Sequence, residues 1–530
     1  MLAENLRLRI LEPGGSDLTL PLFLYRPYSR SLKNGRESAD PTGPLEWRAR
    51  FTPRRAGALR VALEARDGEQ WVEQATALVT ALPSDAHGFI SVSPTNPRLL
   101  AFDDGAPFFA IGENLCWPGP RGTYDYDYYL AKISAHRANL IRIWVGPTHL
   151  FTLERIPNPG EQDVGLGRYD LRAAWYLDTF MEAARRHGVA VLLCTESFPS
   201  LRSSEPHAIW NLNPYNSANA GPCAQPSDFF INPRARSGYS RLLDYMSARW
   251  GPSPGLFAWE LWNEVDITQN YDSHVVREWH RVMAAHLRSV DPYHHLITTS
   301  FAFSEGDPTI DALDELDLVQ THCYSAEDFA MGLYRYAQQK RFLRKPHLVA
   351  EFGLQEEAQR KADPKGLHLH NGIWSTALSG NAGAAMLWDW DSYVDAFDLY
   401  PQFRALADFL DGVPWRDPAL RPVEALCDGV PQPDANTPLR VFGIQTDRQA
   451  CLWLQNPQST VGALLQEQTP AAVSRPVRVG VLPGKYLVRW FDTWAGRWTK
   501  QETLEAGPRW LDLSPPPVER DLACALTPAP

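Results

Sequence analysis

Two glutamates close short apolar runs in the same way. One run reads Phe257-Ala-Trp-Glu-Leu-Trp-Asn-Glu264, and the other reads His347-Leu-Val-Ala-Glu351-Phe-Gly. Cleaving an acetal between two sugars needs a carboxylic acid to protonate the leaving oxygen. It also needs a carboxylate on the other side to attack the anomeric carbon or activate water. A single glutamate at such a place is ordinarily solvated or salt-bridged; two on separate runs supply the pair this chemistry requires. Further polar residues stand at the ends of other apolar runs: Arg142 in Leu140-Ile-Arg-Ile-Trp, His322 and Tyr324 in His-Cys-Tyr, and Asn263 beside Glu264. Arg142 has a structural reading as well, as an interior arginine paired with Glu260, which shares a strand face with Glu264 by period 2. It can serve both roles. His322 by itself reads as a satisfied polar-core histidine, and Tyr324 tips it toward the site. Glu196 and Asp389 also end runs, where solvent exposure is as good an expectation as contact with a sugar hydroxyl.

Tryptophan supplies the second signal. The chain has 19 Trp, as many as its 19 Tyr, and flat aromatic rings pack well on the C–H faces of sugars. Trp117, Trp144, Trp262, Trp388 and Trp390 fall at or just past run ends, a clustering that suits a carbohydrate cleft. Trp117 and Trp388 are assigned to the cleft, and Trp259 and Trp175 to the core. The stretch from Glu196 to Phe229 exceeds ordinary loop length; with Trp210 and Tyr215 it is expected to wall part of the cleft. Asp103-Asp104-Gly is a turn by composition and lacks the other ligand positions of a calcium loop.

The elements that must position these residues alternate between apolar runs and amphipathic stretches. The runs are Phe108 to Cys116, Leu140 to Val145, Val189 to Thr195, Leu256 to Asn263, His295 to Ser300, Leu318 to Tyr324, His347 to Phe352 and Ala384 to Trp390. Helices are expected at Tyr128 to Arg137, Ala174 to His187, Arg236 to Arg249 and Val275 to Val290. Eight such units predict an α/β fold, a (β/α)8 TIM barrel with its site at the C-terminal strand ends. Ile111-Gly-Glu-Asn lacks the Gly-x-Gly-x-x-Gly turn that announces a doubly wound sheet. Period-2 alternation before Pro83 and after Gly412 predicts flanking β-sandwiches, so residues 1–88, 89–412 and 413–530 are read as three domains.

Composition narrows the partners. Of 530 residues 44% are hydrophobic and 21% charged, and 51 Lys+Arg against 62 Asp+Glu give a net charge of -11, which opposes nucleic acid and anionic membranes. The seven scattered cysteines form no disulfide framework or zinc pattern. No window is long and apolar enough to span a bilayer. The N-terminus lacks a signal-peptide core, giving an expectation of a cytoplasmic protein, or a secreted one if the start lies elsewhere.

Taken together, Asn263-Glu264, Glu351-Phe-Gly, Arg142, His322-Cys-Tyr324 and Trp388 resemble, in order, the motifs of clan A retaining glycoside hydrolases, especially family 5. The region before the barrel looks like the immunoglobulin-like domain that precedes many bacterial barrels of this kind. The resemblance implies Glu264 as acid/base, Glu351 as nucleophile held ionised by Arg142 and Tyr324, and Asn263 donating to the sugar 2-hydroxyl. It also implies His322 completing the network, Trp388 flooring the subsite next to the cleaved bond, and neither metal nor organic cofactor. The substrate would be a β-mannan-like or β-glucan-like saccharide. Transglycosylation through the same intermediate, or a non-catalytic carbohydrate-binding barrel, are the alternative readings. Retention requires the two carboxyls about 5 Å apart, against about 6.5–9.5 Å for inversion.

Overall fold

The computed structural model describes residues 1–12, 14–15, 17–146, 149–324 and 326–529. Leu2–Leu11, Asp17–Tyr25 and Gly57–Asp67 alternate apolar and polar side chains and pair antiparallel, as half-buried strands do. With Glu46–Arg48 on one edge and Gln70–Ala81 on the other they make one five-stranded sheet. Tyr28–Lys33 and Arg36–Pro41 form a separate two-stranded ribbon. Ile10, Leu20 and Leu59 give this sheet a small core of its own, while Phe23 and Tyr25 join the main core. The sheet is fastened by Arg50, which pairs with Asp178 on the helix Leu171–Arg186.

The central region is a ring of parallel strands. Gly112–Asn114, Leu140–Trp144, Ala190–Cys194, Leu256–Glu260 and Leu296–Thr298 pair in sequence order, as do Val319–Cys323 and His347–Phe352. The predicted run from Ala384 is not a regular strand, yet it closes the ring: Met386 N–H donates to Val349 C=O, Ala384 N–H to Ala110 C=O and Asn114 N–H to Leu387 C=O. Asp317 N–H to Ile297 C=O joins the fifth strand to the sixth. Gly383 is needed where the eighth segment meets the first, since a Cβ there would lie 2.6 Å from that of Ala110. The four expected helices are present as Thr123–Ala135, Leu171–Arg186, Pro233–Trp250 and Ser273–Val290.

Inside the ring the layers follow from period 2. Leu140, Ala258, Leu296, Leu318, Leu348 and Met386 fill the lower interior. Two residues further along the strands the lining turns polar, with Arg142, Glu260 and Thr298 fully buried. This is the C-terminal end, where barrels of this architecture carry their sites.

After the barrel, a six-stranded antiparallel sheet and a four-stranded sheet share a core that includes Val441, Leu452, Val479, Trp490 and Leu511. The other face of the larger sheet puts Phe442, Trp453 and Phe491 into the barrel's core. Asp521 locks that contact, accepting from His370, Trp453 and Trp494 at 2.8–3.0 Å and from Thr493. Of the C-terminal tryptophans, Trp453 and Trp490 are thus core, and Trp498 is exposed.

Candidate active site

Seven of the eight predicted site residues come from the ends of five barrel strands, and Trp117 lies three residues beyond the first. Arg142 is wholly buried. Its Nε and Nη2 donate to Glu260 at 2.7 and 2.8 Å, while Nη1 donates to Glu351 at 2.8 Å and Nη2 also reaches Asn263 Oδ1 at 2.6 Å. Arg142 thus pairs with Glu260 and with Glu351 at once. Glu260 in turn accepts from Ser300 Oγ at 2.7 Å.

Glu351 points inward because of a backbone irregularity. Leu348 and Ala350 already face the barrel interior, so strict alternation would turn Glu351 outward. The register between the sixth and seventh strands shifts at Thr321/His322, pairing His322 with Glu351 and skipping Ala350. A bulge of this kind re-aims one side chain. Tyr324 Oη donates to Glu351 Oε1.

Glu264 reaches the cleft by another device. Its φ of 52° and ψ of 53° are left-handed, a conformation that costs a non-glycine residue about 1–2 kcal/mol. Its N–H donates to Ser300 Oγ at 3.1 Å, and the neighbouring Asn263 and Val265 N–H groups donate to Glu196 C=O and Ser300 C=O. These bonds hold the turn that brings Asn263 and Glu264 to the same side. Local strain of this type concentrates at functional sites.

His322 stands between the two glutamates, Nδ1 being 3.0 Å from Glu264 Oε1 and 3.5 Å from Glu351 Oε2. Its Nε2 is buried without a hydrogen-bond partner among the described residues. One ligand atom from each of Glu264, His322 and Glu351 falls within a 4.8 Å span, so the three are also the residues that could hold a cation. The same figure puts an oxygen of each carboxyl within 4.8 Å of the other.

Burial pushes the Glu264 carboxyl up to about 7 against the pull of Arg142. Burial raises Glu351 too; His322, Arg142 and Tyr324 pull it down, and Glu264 pushes it up. Glu351 is therefore less fully held as an anion than a dedicated arginine would make it, because Arg142 spends two of its donors on Glu260. Asn263 is likewise more occupied than expected: its amide donates to Ser197 Oγ at 3.0 Å, leaving one amide hydrogen for a sugar.

The tryptophans divide. Trp117 and Trp388 are partly exposed, with ring centroids 5.3 Å apart. Trp144, Trp262 and Trp390 are buried, which corrects their placement among the cleft aromatics. Trp144 and Trp390 back the exposed pair, whereas Trp262 packs on Phe229 and Trp279 outside the ring. Trp259 is core as expected, and Trp175 is half-buried against Tyr28. Trp210 is buried within its own loop. Glu196 and Asp389 are not ordinary exposed carboxylates: burial pushes Glu196 up to about 7 and raises Asp389, whose Oδ2 is buried and unpartnered among the described residues. Asn114 escaped sequence reading altogether. It accepts from Arg142 and donates to the carbonyls of Ala350 and Leu387, binding three strands together under the site. Its one signal was position, two residues beyond Gly112 at the end of the first run.

No protein-family model matches the chain. It is 23% identical over 338 residues to the Probable mannan endo-1,4-beta-mannosidase F of Aspergillus oryzae, covering 56% of this chain and 68% of that one. To the mannan endo-1,4-beta-mannosidase A of Podospora anserina it is 24% identical over 316 residues, covering 53% and 79%. A glycoside hydrolase family 5 structure from Bacteroides vulgatus shares the fold with a TM-score of 0.56 at 14% identity, over 83% of this chain and 93% of its own. A second protein from that organism matches over 99% and 95%, with a TM-score of 0.63 at 14% identity. With two carboxyls at facing strand ends and these likenesses, the chain resembles mannan endo-1,4-beta-mannosidases in sequence and a family 5 glycoside hydrolase in fold, and it is an enzyme of glycosidic-bond hydrolysis.

Proposed function

We infer that the enzyme hydrolyses β-linked, mannan-like saccharides with retention, Glu264 serving as acid/base and Glu351 as nucleophile. The observation that carries this reading is the approach of the two carboxyls to within 4.8 Å at one oxygen each, which is nearer the roughly 5 Å spacing of retaining enzymes than the roughly 6.5–9.5 Å of inverting ones. Glu264, with its pKa near 7, is protonated in the resting enzyme at neutral pH and below. It delivers that proton to the leaving oxygen as the C–O bond breaks, while a Glu351 oxygen forms the ester bond to the anomeric carbon. Glu264, now a carboxylate, takes a proton from water as the hydroxyl attacks the same carbon, and Glu351 leaves as the anion. With its proton on Nδ1, His322 donates to Glu264 Oε1 across 3.0 Å in both states, and more strongly once that carboxyl is an anion. Tyr324 and Arg142 receive the Glu351 carboxylate each time it is released. Trp388 and Trp117 give the sugar a flat apolar face. The mannan-like substrate is taken from the relatives' names, since the residues above contact the sugar only at the cleaved bond.

The same reading treats the barrel as flanked by an N-terminal immunoglobulin-like domain over 1–88 and a C-terminal sandwich over 413–530. Support comes from the antiparallel sheets before and after it. None of the described helices is long and apolar enough to cross a membrane.

Azide tests the assignment of roles. Glu264→Ala and Glu351→Ala should each lower turnover of an aryl β-mannoside at least 100-fold. Azide should rescue the first with a β-glycosyl azide and the second with an α-glycosyl azide. Full activity in either variant sinks the reading, and exchanged azide stereochemistry would swap the roles.

A further inference from the structure

A cavity of about 340 Å³ lies beside the catalytic end of the ring, between the second and third strands. Val145, Gly146, Thr195 and Glu196 line it from the strand ends, and Glu154 and Tyr215 from the loops above. Its volume falls in the roughly 300–1,000 Å³ range of small-molecule sites. It adjoins the catalytic cleft in two ways. The backbone carbonyl of Glu196 accepts from Asn263 N–H at 2.8 Å. His149, also on its wall, stacks at 5.2 Å on Trp117, which meets Trp388.

The polar groups of this cavity are held by backbone N–H groups and neighbouring hydroxyls, with no cation paired to either carboxyl among the described residues. Glu154 Oε1 accepts from Gly167 N–H at 2.6 Å and Glu196 Oε1 from Ser197 N–H at 2.9 Å. Arg155, the cation on the wall, is spent on Glu161 and Asp170. Burial pushes both carboxyls up to about 7, and the charge of Glu154 adds to the push on Glu196. Tyr215 is 4% exposed and its hydroxyl turns to Glu154, whose carboxyl it helps to hold down, in a contact looser than an ordinary hydrogen bond. A buried hydroxyl held only by a loose contact keeps part of its desolvation cost, which a ligand would relieve.

The remaining wall is apolar, with Val145, Leu153, Ile209 and Leu242. Two carboxyls, with Arg155 already paired to Glu161 and Asp170, disfavour any anion. Carboxyls poised near neutrality can accept and donate, and a phenol adds another donor; all three suit vicinal hydroxyls, while the apolar wall suits ring C–H faces. We propose that this cavity is a subsite for a neutral hexose unit of the substrate beyond the cleaved bond, with Glu154, Glu196 and Tyr215 taking its hydroxyls and excluding acidic sugars. The proposal rests on the glycoside hydrolase reading and extends it to a position that none of the residues assigned to the reacting bond occupies.

Tyr215→Phe is the informative variant, because removing a buried hydroxyl whose contact with Glu154 is loose should leave folding unharmed. Glu154→Gln is the second. In the Glu351→Ala background, binding of β-1,4-mannotetraose by calorimetry should weaken about tenfold with either change, with thermal midpoints unaltered. In the active enzyme, kcat/KM for the tetrasaccharide should fall about tenfold while that for an aryl β-mannoside stays within twofold. Unchanged tetrasaccharide affinity in both variants overturns the subsite, as does a parallel loss on the aryl mannoside. So does failure of the Glu351→Ala protein to bind the tetrasaccharide at all. If the unaltered protein binds it but cleaves neither compound, the hydrolytic reading fails and the calorimetry still decides the subsite.

Discussion

Two buried arginine clusters sit at opposite ends of the central ring, and they differ in charge ratio. Near the N-terminal sheet, Asp178 receives Arg50 at 2.8 and 2.9 Å, Arg249 at 2.6 and 3.1 Å, and Trp250 Nε1 at 2.9 Å. Burial alone would raise this carboxyl, but Arg249 and Arg50 outweigh burial and hold it below the usual range. At the catalytic end one guanidinium, Arg142, faces Glu260 and Glu351 directly, with Glu264 close by. There Glu264 and Glu351 go up. Two cations to one anion make a fastener; one cation to three anions makes a site with a proton to give.

The largest effect should come from breaking the two clusters in the same way. Arg142→Met strands buried carboxylates at a cost of about 3–5 kcal/mol in denaturant unfolding, whereas Arg249→Met leaves Asp178 paired with Arg50 and should cost less. Only Arg142→Met should also lower kcat/KM of the folded fraction, by at least about 100-fold, because only it frees Glu351 and Asn263. Equal kinetic loss in both would erase the distinction drawn here.

A smaller effect sharpens the electrostatics. The acid limb of the kcat/KM profile reports protonation of Glu351, already raised from its ordinary value, and the alkaline limb reports loss of the Glu264 proton near pH 7. Tyr324→Phe removes a donor that stabilises the Glu351 anion, so the acid limb should move upward and narrow the bell, while the alkaline limb stays in place. A profile unchanged in its acid limb would show that Tyr324 does not tune Glu351.

The smallest expected effect is on stability. Glu264 holds its proton more tightly folded than unfolded, about 7 against 4.5. Its contribution is therefore present below pH 4.5 and lost as pH rises through 7. Glu264→Gln should remove that dependence and stabilise the protein at pH 8 by about 1–3 kcal/mol. A variant with the same pH slope as the parent in thermal melts would refute the assignment. Asp178→Asn should show the opposite sign, destabilising at neutral pH, since that carboxyl is better satisfied charged.

Much of this was legible in the chain. The alternation of apolar runs and amphipathic stretches placed seven of the eight ring strands within a few residues, because a strand buried on both faces must be apolar throughout. The eighth, Ala384 to Trp390, reads the same in sequence but is held by isolated bridges to Ala110, Glu113 and Phe352. Glu264 and Glu351 were visible because both end apolar runs. The aromatic residues were harder. Trp117 and Trp262 carry the same sequence signal, yet one is partly exposed and the other is sealed against Phe229, since a strand end offers both an inward and an outward face.

By itself, then, the sequence determined which residue types stand at the strand ends, and so the kind of bond the site can break. Whether those residues work together was decided in three dimensions. The register slip beside Ala350 turned Glu351 inward, the left-handed turn at Glu264 brought its carboxyl to the same side, and Arg142 had to be divided between Glu260 and Glu351. Of the two readings the sequence left open for Glu196 and Asp389, burial in the fold disfavours ordinary exposure for the same reason. Burial depends on what folds over a residue from far along the chain, and here that burial, more than residue identity, raises the carboxyls that do the chemistry.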